Sequence, residues 1–164
     1  MPLNELRLFL LALWLGAAML FSAVVAPVGF SVLRALAVPN ANELAGTIVS
    51  RTLAIVNTSG FVISLLVLLT AFASRRLGGR RWFWLELILL TIVALTTVIG
   101  RWVIASKMLA LRASMVLPID QVAPEDPRRI AFNALHRYSV TALLIAMMAA
   151  VIAFFVMARR TRLN

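Results

Sequence analysis

The sequence predicts an all-α fold, a polytopic integral membrane four-helix bundle, and three observations predict it. Four apolar stretches, Leu8 to Leu36, Thr52 to Ala73, Trp82 to Ala105 and Val140 to Ala158 within a helix taken from Arg137, occupy most of the chain with few charges inside them. Each reaches the roughly 20 residues that a helix needs to cross about 30 Å of hydrocarbon. The composition, 63% hydrophobic and 13% charged over 164 residues, lacks the polar shell that four buried helices of a soluble domain would require. Four spans in so short a chain leave one membrane domain, residues 1–164, and no separate soluble unit.

The first run follows a basic residue, Arg7, as a secretory signal does, yet it is much longer than an apolar signal core of roughly 7–15 residues. Its best small-residue site, Val24-Val25-Ala26, is blocked by Pro27, so it is expected to stay as the first helix. The second run ends near Arg75-Arg76, and Gly78 and Gly79 allow a tight turn before Arg80 and Arg81 start the third. Trp82 and Trp84 fit the headgroup level there as an aromatic anchor. Ile104, Met108, Leu111 and Met115 carry one apolar stripe past the end of the third span, so that helix is expected to protrude. The fourth helix should start outside the bilayer, with Asp126 as N-cap and Pro127 as first helical residue. Helices 3 and 4 would then extend beyond the membrane as an antiparallel pair. Small residues at spacings of four, Ala18-Ser22-Ala26, Gly60-Ser64 and Ala142-Ala146-Ala150, predict where helices approach closely.

The formal net charge of +10 would suggest nucleic acid in a soluble protein. Here the basic residues gather where apolar runs end, which points to topology signals and to contacts with a lipid bilayer containing anionic lipids, and to no nucleic-acid partner. Dense arginine clusters at the second turn and at Arg159, Arg160 and Arg162 lie on one side. The other side mixes Arg34, Arg51, Arg101, Lys107, Arg112, Arg128, Arg129 and Arg137 with Glu43, Asp120, Glu125 and Asp126. Cluster density at the span ends predicts cytoplasmic N- and C-termini in a bacterial inner membrane. The absence of cysteine excludes disulfides, thiolate metal sites and iron–sulfur clusters.

Two places carry candidate chemistry. Alternation of the spans brings Asn57, Arg101, Asn133, His136 and Ser139 toward one side of the membrane; Asn133, His136 and Ser139, three apart, share a helix face. They are expected to form a polar cluster, structural or functional, because polar groups at such depth cost a few kcal/mol unless paired. Glu86, about one turn inside helix 3, also needs a partner, and an interfacial ion pair with Arg80, Arg81, Arg159 or Arg160 is expected. No nucleophile–base pair with an orienting group and no phosphate-cradling glycine loop is visible, so the chain is expected not to be an enzyme. No catalytic residue, cofactor or metal site is assigned; a lone histidine and dispersed methionines do not make a haem or copper site.

Ala123-Pro124-Glu125-Asp126-Pro127, followed by Phe132, Leu135-His136 and Ser139, resembles the C-terminal signature of the transmembrane protein 205-like family, small four-helix membrane proteins with no established reaction. Leu15-Gly16 with Ala26-Pro27 and Phe30, Ala45-Gly46 with Arg51, and Met108 with Arg112 resemble its earlier segments, so the likeness spans nearly the whole chain. Where related sequences often carry an asparagine shortly after the serine, this chain has Thr141, Ala142 and Leu143, and no role for that asparagine transfers. The resemblance implies the architecture, the membrane location and a weak link to the handling of toxic compounds or metals. Together these readings predict an accessory or interaction protein, as a homo-oligomer or beside another membrane protein. The rival is an oligomeric transporter or permeation subunit for a small toxic compound or metal ion.

Overall fold

The computed structural model describes residues 3–72 and 79–162, and these are helical apart from short connections. Helix α1 runs Leu3–Ala35, α2 Ala41–Ala71, α3 Arg80–Ser114 and α4 Pro127–Arg162. All four are long and apolar enough to cross a membrane, and no strand occurs among the described residues. The tight turn at Gly78, the Arg75-Arg76 pair and the side chain of Arg162 lie outside the described residues.

Even the 31 residues of α2 extend about 46 Å at ~1.5 Å per residue. The excess over a bilayer's ~30 Å of hydrocarbon is therefore shared by all four helices. α2 starts at Ala41, well before the apolar run that opens at Thr52, because Asn42, Glu43, Thr47, Ser50 and Arg51 dilute the average hydropathy without breaking its period. Beneath them Ala41 and Ala45 are buried, and Val49 and Leu53 pack on the core four and eight residues on.

The helices form a ring in which α1 touches α2 and α4, and α3 touches α2 and α4. One core runs through it: Leu11, Trp14, Ala18 and Phe21 from α1, Val56 and Val67 from α2, Leu89, Leu90 and Val93 from α3, and Leu143, Ala146, Ala150, Ala153 and Val156 from α4. Small residues at the contacts let backbones approach. Ala18, Ala146 and Ala150 are fully buried, while Ala142, Ser22 and Ala26 are only half-buried. Outward-facing side chains such as Ile55, Leu69 and Phe155 are apolar and exposed, as lipid contact requires.

Two helices widen locally into π turns, at Phe21–Val25 in α1 and at Ile99–Ile104 in α3. In α1 the Ala26 N–H reaches back five residues to the Phe21 carbonyl. Pro27 explains this turn, since a proline has no N–H and its ring crowds the carbonyl four residues before it. A wide turn also rotates the packing face. Beyond it, Ala26–Ala35 buries no residue and packs chiefly on α2, so the outer part of α1 leaves the ring that its inner part helps to close.

α1 ends in a Schellman motif: the Ala37 N–H donates to the Arg34 carbonyl at 3.0 Å and the Val38 N–H to the Leu33 carbonyl at 3.2 Å. The motif needs a left-handed residue, and Ala37 supplies it at φ 49°. A β-carbon there is strained by about 1 kcal/mol, so Ala37→Gly should raise the thermal melting temperature in detergent. An unchanged or lower melting temperature would show that the added chain freedom offsets the relief.

Candidate functional site

Glu86 lies on α3, fully buried, and both its carboxylate oxygens are taken by guanidinium groups of other helices. Arg7 of α1 donates from Nη2 to Oε1, and Arg160 of α4 donates from Nη1 to Oε2. The two arginines are 3% and 4% exposed. Arg7 Nη2 also donates to the Val67 carbonyl of α2 at 3.1 Å, and Nη1 to Asn4 Oδ1 at 3.3 Å. One carboxylate thus ties three helices by charge and α2 through a backbone carbonyl. The Arg160 guanidinium additionally lies 5.5 Å over the Phe83 ring. Among the described residues two guanidiniums share this one carboxylate, and Arg7 Nε is buried with no hydrogen-bond partner.

Of the four arginines expected near Glu86, the structure brings Arg160 to it; Arg80, Arg81 and Arg159 are exposed. Arg159 instead lies 4.9 Å over the Trp82 ring. Arg7 was missed because it precedes an apolar run and reads as a flanking charge. The signal was present in the spacing: Arg7, Leu11, Trp14, Ala18 and Phe21 follow one another by four, three, four and three, so Arg7 belongs to the inward stripe of α1.

Nearer the middle of the bundle, the Trp14 indole lies flat on α2. Its Nε1 donates to the Val56 carbonyl at 2.9 Å, and it occupies the space a β-carbon at Gly60 would need, 2.6 Å away. Higher up, Asn57 is buried against the π turn of α3, where a β-carbon at Gly100 would stand 3.0 Å from its Nδ2. At Gly60 a β-carbon would have to displace the indole, and at Gly100 it would make Asn57 give by a few tenths of an ångström.

The five residues expected to cluster are not joined by any hydrogen bond among the described residues. Asn57 and Ser139 are buried, Arg101 is half-buried with its guanidinium 5.8 Å from the Trp102 ring, and Asn133 and His136 are exposed. On α4 the buried positions Met157, Ala153, Ala150, Ala146, Leu143 and Ser139 follow a regular stripe whose next place is His136. It emerges because the outer part of α1 has turned onto α2.

At that outer end the connection from α3 to α4 closes onto α2. Asn40 has left-handed backbone and its side chain does not cap α2. Asp120 caps it from the connection instead: Oδ2 accepts from the Glu43 N–H at 3.0 Å, and Oδ1 from the Asn42 Nδ2 at 2.6 Å. Glu43 in turn accepts from Arg112 Nε at 2.7 Å and from the Ile119 N–H at 3.1 Å. Asp126 caps α4 through the Arg128 N–H at 2.8 Å. The Arg128 side chain hydrogen-bonded to it lowers its carboxyl from 3.8 to about 2. Ion pairs thus join helices near both ends of the bundle, Glu86 with Arg7 and Arg160 at one and Glu43 with Arg112 at the other.

A family profile described as "Domain of unknown function (DUF4149)" matches residues 9–116, which take in most of α1, all of α2 and all of α3. Glu86 falls inside that stretch, and Arg7 and Arg160 fall outside it. No curated protein and no solved structure matches the chain.

Proposed function

Because the chain belongs to the DUF4149 family, a domain of unknown function, we propose its role from its own geometry: a small integral membrane protein of the bacterial inner membrane that acts as an accessory or interaction subunit, both termini cytoplasmic. The observation that carries this reading is the Arg7–Glu86–Arg160 cluster, whose charges bind one another across helices. Buried charge used in this way stiffens a scaffold and leaves little to present to a solute. The core residues Leu11, Ala18, Leu90, Val93 and Ala146 are fully buried, so the centre of the ring is packed. This reading assigns the protein no reaction, cofactor or metal of its own.

The likeness to the transmembrane protein 205-like family fits the same reading. Permeation of a toxic compound or metal ion would need a pathway between copies rather than through one. The purified chain reconstituted in vesicles should pass divalent metal ions and small cationic dyes no faster than protein-free vesicles. Photo-crosslinkers placed at the exposed Ile55 and Phe155 in cell membranes should give one discrete hetero-adduct. Saturable flux proportional to the protein reconstituted would overturn the accessory reading in favour of transport.

A further inference from the structure

We propose that the end of the bundle carrying the Glu86 cluster holds a selective site for an acidic phospholipid headgroup, built by Arg159, Arg81 and Arg80 around Trp82. The site rests on the membrane placement above and not on the accessory role. Arg159 and Arg160 are neighbours on α4, about 100° apart around its axis. Arg160 turns inward to Glu86, and Arg159 turns outward across the Trp82 ring at 4.9 Å. Arg80 and Arg81 precede Trp82 in the first turn of α3, and Arg80, Arg81 and Arg159 are all exposed at this end of the bundle.

Among the described residues no carboxylate answers them. Both oxygens of Glu86 are occupied in the interior. Glu5 stands on α1 two residues before Arg7, about 200° around the axis from the face that Arg7 turns to the core. Among the described residues no ion pair reaches Arg80, Arg81 or Arg159. The planar Arg159 guanidinium on its aromatic platform suits a phosphodiester, which accepts paired N–H bonds.

The surface beside the arginines selects a lipid over a free anion. Arg81 heads an exposed α3 track of Trp84 and Ile88, and Arg159 heads an exposed α4 track of Phe155 and Ile152, each at spacings of three or four residues. Arg81 and Arg159 therefore each have exposed apolar surface directly beneath them on their own helix. Acyl chains fit that surface and a soluble phosphate does not use it. The tryptophan belt marks the matching depth.

The test uses the full chain in neutral detergent, supplied with phosphatidylglycerol or phosphatidylcholine of identical acyl chains and read by native mass spectrometry and by thermal melting. Phosphatidylglycerol should be retained about tenfold better, as expected for arginines near an anionic headgroup, and should raise the melting temperature where phosphatidylcholine and inorganic phosphate do not. Arg81→Gln with Arg159→Gln should bring the two lipids to parity while leaving melting in phosphatidylcholine unchanged. Equal retention by the unaltered chain, an undiminished preference in the double variant, or a matching shift with inorganic phosphate would each overturn the proposal. Flux through vesicles would overturn the accessory role and leave the lipid preference standing, so the two failures are distinguishable.

Discussion

Glu86→Gln should lower the stability of the bundle by about 3–5 kcal/mol, the range for removing one partner from a buried ion pair. Glutamine keeps the shape of the side chain and removes its charge, taking from the buried Arg7 and Arg160 guanidiniums the carboxylate that they share. Arg7→Met should cost less. It leaves the Glu86–Arg160 pair and deletes Arg7 Nε, the one buried side-chain nitrogen without a partner among the described residues. The triple change Arg7→Met, Glu86→Leu, Arg160→Met should recover most of the loss, because apolar side chains of similar volume carry no desolvation cost. Thermal melting of the four proteins in one detergent orders them. If Glu86→Gln melts with the unaltered protein, the cluster is hydrated and does not clamp the helices.

The second large effect is expected at Gly60, where a β-carbon would sit 2.6 Å from Trp14 Nε1. Gly60→Ala must push the indole away from α2. That overpacking costs about 1–3 kcal/mol, and losing the Trp14 bond to the Val56 carbonyl adds about 1 kcal/mol. The same substitution at Gly46, which has nothing within 4 Å, is the internal control. There the better helix propensity of alanine should raise stability by up to about 1 kcal/mol. Melting temperatures that move in opposite directions at the two glycines of α2 would establish the close approach; equal shifts would refute it.

Of the candidate sites, the need of Glu86 for a partner was readable from a lone acid inside an apolar run, since an unpaired charge there is costly. Which arginines answer it was not. Arg159 and Arg160 differ by one place on α4, and only the rotation and register of α4 against α3 turn Arg160 inward and Arg159 onto Trp82. The three-residue spacing of Asn133, His136 and Ser139 showed a shared face without showing what covers it. The π turn before Pro27 swings the outer part of α1 onto α2, and that leaves Asn133 and His136 exposed while Ser139 stays buried.

The class is legible in the linear chain, four apolar helices with too little charge between them for a polar shell, because burial in lipid is a property of composition and run length. With attention to period the linear chain also determines the early start of α2 at Ala41 and the inward place of Arg7, which average hydropathy conceals. The partners emerge with the packing of the helices: Arg7 and Arg160 on Glu86, Trp14 on Gly60, Asp120 on the first turn of α2. Each of these joins residues far apart in the chain. The local period fixes the direction in which a side chain leaves its helix, and the depth and rotation of the neighbouring helix decide what it meets.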